Sequence, residues 1–333
     1  MLEVISTSGF SSFQDMGRNG FRSQGISRSG AADYYALFEG AALLDQNPNS
    51  TALELIGNGG KFRVLKDCMV ALTGAIMPAS VDQKPLAWNS SHYLYEGSIL
   101  NLGAPQNGRY SYLHLRGGFK APKIFNSSSA QPPAGIGKYT RPKDILEQLE
   151  KIPEILKCQT IEPVDRFEST TFRLVESFQT HLFTPKTIKK FEDTEFSIDN
   201  QSNKGGIKLT YTGSGFSTSN QLKIMSDMII PGDIQMTGSG QPFVLLSDCQ
   251  TMGGYPRIGC IIPPDLPAIT QLKTGKKVKF KFISRDEANK IVSKDRKILE
   301  IIKERCLEPI RDPQKMTDLL DFNLIDGALW AKN

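Results

Sequence analysis

The stretch ALELIGNGGKFRVLKDCMVALTGA, residues 52–75, decides the predicted fold class. Short runs rich in Leu, Val and Phe alternate in it with turn residues such as Gly-Asn-Gly-Gly and Thr-Gly-Ala, which is typical of antiparallel strands. The alternation continues to residue 115 and predicts seven strands, at 52–56, 61–64, 68–72, 80–81, 92–95, 99–102 and 109–115. Seven short strands at this spacing favour a barrel or a sandwich.

The sequence before this stretch predicts a strand, a long loop and a helix. Residues 2–6 predict the strand, and residues 7–30 form a polar loop with five glycines. Long polar loops of this kind often carry function. Ser29 is predicted to cap a helix over residues 31–44, because apolar residues recur there at helical spacing.

The composition changes after residue 125. Residues 126–165 are rich in Ser and Pro and contain a helix-capable run at 142–156, which together predict a linker. A second β-rich unit is predicted over residues 166–283, with a helix that Thr184 caps and Pro185 begins. Its strands are predicted at 172–175, 206–211, 221–230, 242–247 and 276–283.

The last segment, residues 284–333, is predicted to be a helical tail. Ser284 and Glu287 match a capping box, which marks the start of a helix. An apolar stripe is predicted on one helical face, formed by Ile291, Ile298, Ile302 and Cys306. This stripe either packs on the parent domain or docks onto a partner protein.

Composition and charge exclude several classes of protein. The net charge of +5 is spread along 333 residues, which does not favour nucleic-acid binding. No apolar run reaches the length of a membrane span and the start of the chain lacks signal-peptide features, so a cytoplasmic protein is expected. Five cysteines without a CxxC pair and three isolated histidines predict neither disulfides nor a metal centre.

Short motifs spread along the chain carry a family resemblance. They are QDMGRNGF at 14–21, GAAD at 30–33, ALE at 52–54, ALTGA at 71–75, YLHLRGGF at 112–119, PGDIQ at 231–235, GQP at 240–242, QTMGGYP at 250–256 and DLP at 265–267. In this order they resemble the biotin-dependent carboxyltransferase or allophanate hydrolase subunit 2 family. The branch that the chain resembles most is that of the 5-oxoprolinase C subunit, also called KipA-like.

The resemblance implies a mainly β protein with a few helices, built as two cyclophilin-like β-barrel subdomains. Residues 1–125 would form the N-terminal barrel half and residues 166–283 the C-terminal one. It also implies one component of an ATP-dependent complex that hydrolyses the lactam of 5-oxoproline to L-glutamate. The implied partners are the 5-oxoprolinase B subunit, which is KipI-like, and the A subunit, which is LamB/YcsF-like.

Two other functions fit the same resemblance. One is a KipA-like regulatory protein that binds a kinase inhibitor resembling the KipI-like partner. The other is biotin-dependent carboxyl transfer to urea or a similar small amide. The chain has no Met-Lys-Met biotinylation site and no GxxxxGK[ST] phosphate loop, so biotin would come from another chain and ATP is expected at the level of the complex.

The sequence departs from the family pattern at three arginine positions. Ser128 and Cys249 stand where the family usually has arginine, and Lys204 replaces a third one. A lysine supplies a point charge without the bidentate fork of a guanidinium.

The candidate site residues come from these motifs. Asp15, Gln250 and Tyr255 are the catalytic candidates. The candidates for substrate binding are Arg116, Gly117, Gly118, Ser226, Gln235, Thr251, Gly253 and Gly254. Paired glycines permit positive φ and let successive N–H groups face an anion, while amide, hydroxyl and phenol groups orient a substrate.

Each candidate also has a structural interpretation. Gly253 and Gly254 would form a tight turn beside a buried tyrosine, and Arg116 would form a surface salt bridge. Asp15 would cap its own loop. Ser226 and Gln235 would stabilise the neighbouring turn.

Overall fold

The computed structural model describes residues 1–151, 157–216, 218 and 224–309. Parts of the predicted helical run at 142–156, of the predicted strand at 221–230 and of the tail lie outside these residues. The expected mainly β protein with a few helices is confirmed over the described part of the chain.

The N-terminal half is built mainly from short strands, of which β5 and β10 are buried along their whole length. In chain order its strands are β1 (Leu2–Thr7), β2 (Ser12–Gln14), β3 (Ala52–Ile56), β4 (Gly60–Val64), β5 (Cys68–Gly74), β6 (Ala79–Val81), β7 (Lys84–Leu86), β8 (Ser90–Leu94), β9 (Ile99–Leu102), β10 (Tyr110–Leu115), β11 (Ile145–Leu146) and β12 (Thr160–Ile161). The seven strands predicted between residues 52 and 115 are all present, within a few residues of their predicted ends.

The C-terminal half contains the remaining strands and three of the four described α-helices. The strands are β13 (Thr171–Val175), β14 (Phe196–Ile198), β15 (Gly206–Thr210), β16 (Asp227–Met228), β17 (Asp233–Met236), β18 (Pro242–Leu245), β19 (Met252–Gly253), β20 (Arg257–Ile261), β21 (Lys277–Phe282) and β22 (Cys306–Leu307). The helices of the whole chain are α1 (Tyr34–Leu44), α2 (Pro185–Asp193), α3 (Leu266–Gln271) and α4 (Arg285–Glu300).

Two sheets enclose the core of the N-terminal half. Their strand orders are β11-β1-β4-β9-β6-β7 and β2-β3-β10-β5-β8-β12-β22. Apolar side chains of both sheets, such as Val4, Phe62, Leu72 and Leu113, form one buried cluster. Helix α1 packs against β5 and β10 of the second sheet.

The C-terminal half is a closed barrel with the strand order β13-β20-β17-β18-β15-β14-β21. Its core is rich in aromatic rings, because Phe172, Phe191, Phe196, Phe216 and Phe280 meet inside it. Strands β16 and β19 pair with each other as a separate two-stranded ribbon, so this ribbon stands apart from the barrel wall.

The helix caps follow the sequence signals in two cases out of three. Thr184 and Ser284 cap α2 and α4 as predicted, each accepting from the N–H three residues later. The prediction for α1 is wrong, because Asp33 and not Ser29 accepts from the Ala36 N–H. Ser29 has a φ of 52°, which is not the extended conformation that an N-cap needs.

The predicted apolar stripe of the tail is wrong beyond Ile298. Helix α4 ends at Glu300, a 3-10 turn follows at Ile302–Arg305, and Cys306 lies in strand β22. Strand β22 pairs with β12 and continues the second N-terminal sheet. This part of the tail therefore packs on its own chain.

The predicted linker, residues 126–165, lies against the N-terminal half. Strand β11 pairs with β1, strand β12 pairs with β8, and Ala130 N–H donates to the Phe13 carbonyl over 2.9 Å. The described part of the predicted helical run contains β11 and no helix. The division of the chain at residues 125, 165 and 283 stays a prediction.

Candidate functional site

The polar loop between β2 and α1 crosses from the N-terminal half to the barrel. Ser29 N–H donates to the Ser247 carbonyl over 2.9 Å, and Lys204 Nζ donates to the Gly30 carbonyl over 2.9 Å. Gly17 and Gly30 have φ values of 84° and 99°, and a Cβ on Gly30 would lie 3.1 Å from the Gly17 backbone. The two glycines therefore let the ends of the loop pack together.

Buried ion pairs fix the two halves against each other. Lys204 Nζ lies 2.9 Å from Glu54 Oε1, and the two side chains are 10% and 0% exposed. Glu54 also accepts from Tyr112 Oη over 2.7 Å and from the Ala32 N–H over 2.8 Å. A buried charge needs such partners, so this pair holds the two halves in one relative position. Lys204, which replaces a family arginine, thus has a structural role.

A second buried cluster reaches the same interface from helix α3. Arg166 lies between Asp33 and Glu39, at 2.6 Å and 2.8 Å, and all three side chains are almost fully buried. Gln271 of α3 donates to Asp33 over 2.7 Å and to the Tyr110 carbonyl over 2.8 Å. Arg166 pairs with both carboxylates inside the protein, so we assign this cluster a structural role.

A cleft of about 520 Å³ with both polar and apolar walls opens between the halves. Its walls come from three segments, namely the crossing loop, residues between β10 and β11, and the stretch that leads into β19. The lining residues are Gly25, Ile26, Ser27, Gln131, Ala134, Ile136, Asp248, Cys249, Gln250, Thr251 and Met252. Ser27 Oγ donates to Gln131 Oε1 over 2.5 Å, and Gln131 Nε2 donates to the Asp248 carbonyl over 3.2 Å. These bonds join the three wall segments.

Two cleft residues have environments that limit their chemistry. Burial raises the pKa of the Cys249 thiol to about 11, although Arg22 beside it acts in the opposite direction. The thiol is therefore protonated at neutral pH and is not a nucleophile. Burial also raises the pKa of Asp248, and the nearby Lys204 partly offsets this.

Arg22 lies beside Cys249, the residue that stands where the family pattern has an arginine. It donates to the backbone carbonyl of Ile229 and, over 3.4 Å, to that of Gln250. Its side chain thereby holds the crossing loop against the ribbon. A positive charge is thus present beside the cleft, supplied by another segment of the chain.

The predicted residues of the QTMGGYP motif lie at or beside the cleft. Gln250 and Thr251 line it, and Thr251 is buried while Gln250 is exposed. Tyr255 is 44% exposed. Ser226 lies next to Gly254, since a Cβ on that glycine would be 3.4 Å from Ser226 Oγ.

Gly253 and Gly254 do not adopt the positive φ that paired glycines permit. Among the described residues, neither belongs to the glycines with positive φ, and Gly253 lies in β19, paired with Asp227. Residue 253 has no room for a side chain while Gln235 keeps its position, because a Cβ on Gly253 would lie 2.5 Å from Gln235 Nε2. Gln235 is buried beneath Gly253, and Ser226 lies beside Gly254, so the predicted residues form two adjacent contacts here.

Asp15 lies away from the cleft and anchors a turn of three serines. Its carboxylate accepts from the Gly17 N–H, the Ser128 N–H and the hydroxyls of Ser127, Ser128 and Ser129, over 2.6–2.9 Å. Burial acts to raise the pKa of Asp15, but these hydrogen bonds outweigh it and the pKa lies below its ordinary value. The contacts account for the predicted loop-capping role, and a catalytic role stays a prediction.

The structure does not bring Arg116, Gly117 and Gly118 to the cleft. They follow β10, where Arg116 is 5% exposed. The Gly117 N–H donates to Gln46 Oε1 over 2.8 Å, and Gln148 Nε2 donates to the Arg116 carbonyl over 2.8 Å. A surface salt bridge does not fit this burial. The three residues shape a turn inside the N-terminal half.

Sequence reasoning missed four residues at or beside the cleft: Arg22, Ser27, Gln131 and Asp248. Asp248 lies two residues before the QTMGGYP motif, and Arg22 and Ser27 lie in the glycine-rich loop. The motif and the loop therefore pointed to the segments that contain these three residues. No sequence signal pointed to Gln131, because its position at the cleft depends on contacts between distant segments.

The comparisons with known proteins agree with this architecture. The sequence matches the family described as "Carboxyltransferase domain, subdomain A and B" over residues 24–282. The chain belongs to this family. The resemblance inferred from the motifs is therefore confirmed.

Bacterial proteins named as the C subunit of 5-oxoprolinase are similar to this member of the carboxyltransferase domain family over most of its length. The protein from Haemophilus influenzae is 31% identical over 91% of this chain and 98% of its own length. The protein from Escherichia coli is 30% identical over 87% of this chain and 94% of its own length. Their name implies a complex of several subunits.

A solved structure shows the same fold in a larger protein. The urea amidolyase of K. lactis superposes with a TM-score of 0.79 at 20% identity, covering 94% of this chain and 21% of that protein. Within the described residues, no helix is long and apolar enough to cross a bilayer.

Proposed function

We infer that this chain is the C subunit of an ATP-dependent 5-oxoprolinase that acts in the cytoplasm with the A and B subunits. The observation that carries this proposal is the similarity to the C subunit of the Haemophilus influenzae enzyme over 98% of that protein. The complex would hydrolyse the lactam of 5-oxoproline to L-glutamate at the expense of ATP.

The cleft between the halves suits a small polar substrate. Its volume of about 520 Å³ exceeds what 5-oxoproline needs, which leaves space for a group from a partner protein. The Gln250 amide offers both a donor and an acceptor to a lactam, and the Thr251 hydroxyl offers a third polar group. Arg22 places a positive charge beside them, which favours a carboxylate or a phosphate.

The hydrolysis would proceed through activation of the amide oxygen. Transfer of the terminal phosphate of ATP to that oxygen releases ADP and makes the lactam carbon open to attack by water. The ring C–N bond then breaks as the nitrogen takes up a proton, and a second water releases inorganic phosphate from the resulting acyl phosphate to give L-glutamate. Donors around the oxygen stabilise the charge that develops during these steps. In this proposal the chain binds and orients the lactam in the cleft. The nucleotide contacts lie in a partner protein or are shared with one.

Reconstitution from purified subunits tests the proposal. ADP release is measured with the A and B subunits, with and without this chain, in the presence and absence of 5-oxoproline. We expect 5-oxoproline-dependent ADP release only with all three. Full release by the A and B subunits alone contradicts the proposal, and stable assembly of the three without turnover favours the KipA-like regulatory role.

Carboxyl transfer to a small amide is the second candidate, and the description of the matched family favours it. It requires a biotinylated partner, because the sequence has no Met-Lys-Met site. Transfer of a labelled carboxyl group from carboxybiotin to urea, dependent on this chain, would support it. Absence of transfer together with lactam-dependent ADP release would leave the first proposal in place.

A further inference from the structure

A second cavity lies inside the N-terminal half and has no part in the proposed reaction. Its volume is about 270 Å³. Its lining is mainly apolar and includes Phe13, Ala121, Ala130, Ile136, Ile145 and Leu146. The serines that Asp15 holds close one side of it.

The size of this cavity suggests a ligand. Cores of natural proteins are close-packed, with few voids larger than a water molecule. An engineered apolar cavity of about 150 Å³ stays dry and binds benzene. A space of about 270 Å³ therefore accommodates a longer apolar group, such as a medium-length alkyl chain.

The mouth of the cavity carries a flexible positive charge. Lys138 and Asp144 both line the cavity, and Lys138 Nζ lies 3.2 Å from Asp144 Oδ1. Asp144 is 27% exposed and also accepts from the Arg141 N–H over 3.0 Å, which holds it in place. Lys138 is 73% exposed and can turn towards a ligand. A carboxylate on the ligand would compete for this ammonium group.

A strained turn forms part of the rim. Phe125 and Asn126 have φ values of 53° and 61°, a left-handed conformation that asparagine tolerates and that is unfavourable for a bulky residue such as Phe125. Backbone bonds between Ile124 and Ser127, over 2.8 and 3.3 Å, close the turn. The turn keeps Ile124, which is 37% exposed, at the mouth of the cavity.

We propose that this cavity binds a small monocarboxylic acid with a medium-length apolar chain. The chain lies among Phe13, Ala130 and Leu146, and the carboxylate pairs with Lys138 at the mouth. Ile136 lines both this cavity and the cleft, so the ligand packs against the wall that separates the two.

Titration of the full chain with octanoate tests the proposal. Calorimetry should show one molecule bound per chain, and the melting temperature should rise with octanoate concentration. Octanol, which lacks the carboxylate, should bind more weakly than octanoate. Octylamine, whose ammonium group carries the same charge as Lys138, should bind more weakly than octanol. Failure of all three to bind overturns the proposal, and equal affinity for octanoate and octylamine overturns the assignment of Lys138.

Variants of the cavity separate binding from folding. Ala121→Phe should fill the half-buried mouth and abolish octanoate binding while the unliganded protein keeps its melting temperature.

The charged pair at the mouth is tested by two further variants. Lys138→Gln should weaken the binding of octanoate several-fold and leave the binding of octanol unchanged. Asp144→Asn should strengthen the binding of octanoate, because it frees Lys138. Lys157→Gln is the matched control, because Lys157 is exposed and pairs with Glu308 elsewhere. Unchanged octanoate binding by a folded Ala121→Phe variant would overturn the proposal by placing the ligand at another site.

Discussion

Two pairs of adjacent glycines, Gly117-Gly118 and Gly253-Gly254, look alike in the sequence and have different roles in the structure. Gly117 and Gly118 have φ values of 78° and 72° and form a turn inside the N-terminal half. Gly253 and Gly254 have no positive φ, and they lie beside the cleft, where Gly253 belongs to the ribbon strand β19 and lies over Gln235. Backbone conformation favours glycine at both positions of the first pair, whereas space for the Gln235 side chain favours glycine at Gly253 of the second pair.

The comparison shows that an adjacent glycine pair does not identify an anion site. Only the contacts of the surrounding segments tell which pair borders a cleft. The pair with the conformation expected of a binding turn is the one that lies away from the cleft. Substitutions at the two sites should therefore separate stability from activity.

The largest expected effect is a loss of folding stability on substitution of Gly117 in the first pair. A Cβ on Gly117 would collide with the backbone carbonyl of Glu150, and the left-handed φ adds strain. Gly117→Ala should lower the free energy of unfolding by about 3 kcal/mol or more. Gly57→Ala is the matched control, since Gly57 has a φ of 73° and nothing within 4 Å of its Cβ position. Urea denaturation should show that the control lowers the free energy of unfolding by only about 1 kcal/mol. Equal losses for the two variants would contradict the proposed collision with the Glu150 carbonyl.

A smaller loss is expected at Asp15, which lies in the same half as the first pair. Asp15→Asn should cost about 2 kcal/mol near pH 7, because it removes a charged acceptor from the serine turn. The pKa of Asp15 is lowered by folding, so its contribution is complete above the ordinary value of 3.8 and is lost as the pH falls through the folded pKa. The difference between the wild type and Asp15→Asn should therefore shrink below pH 3.8.

Denaturation curves at several pH values measure this difference. Asp165→Asn serves as the control, because Asp165 is exposed on the surface. A constant difference between wild type and Asp15→Asn down to the acid transition would show that the carboxylate is not what stabilises the turn.

The smallest expected effect on stability is at the second pair. A Cβ on Gly253 would meet the end of the flexible Gln235 side chain, so Gly253→Ala should cost less than about 1 kcal/mol. Lactam-dependent ADP release should nevertheless fall roughly ten-fold or more, because the ribbon positions the adjoining Gln250 and Thr251. The double variant Gln235→Ala/Gly253→Ala should recover part of the rate by removing the clash. A loss of stability as large as that of Gly117→Ala would contradict the difference between the pairs.

The sequence predicted those features whose signals are local. Alternating apolar residues gave the strands from residue 52 to 115, and the caps at Thr184 and Ser284 were correct because each precedes its helix directly. The cap of α1 was missed because Ser29 and Asp33 are both capping residues. Ser29 does not cap the helix, because its backbone N–H donates to the Ser247 carbonyl of the other half.

The cleft could be predicted only in part. The QTMGGYP motif placed Gln250 and Thr251 at it, since neighbours in the sequence stay neighbours in the fold. The bond between Ser27 and Gln131 joins residues 104 positions apart, and no periodicity or turn signal encodes such a distance. Arg116 was assigned to the site by its motif, but the turn that it begins is held by contacts with the distant residues Gln46 and Gln148.

The claim that the cleft between the halves carries the function is tested most directly by the variant Gln250→Ala/Thr251→Val in the reconstituted complex. Thr251→Val keeps the shape of a buried side chain, and Gln250 is exposed in the cleft, so folding and assembly should be preserved. We predict that 5-oxoproline-dependent ADP release falls roughly a hundred-fold while the three subunits still co-elute. A wild-type rate from the assembled variant would contradict the account.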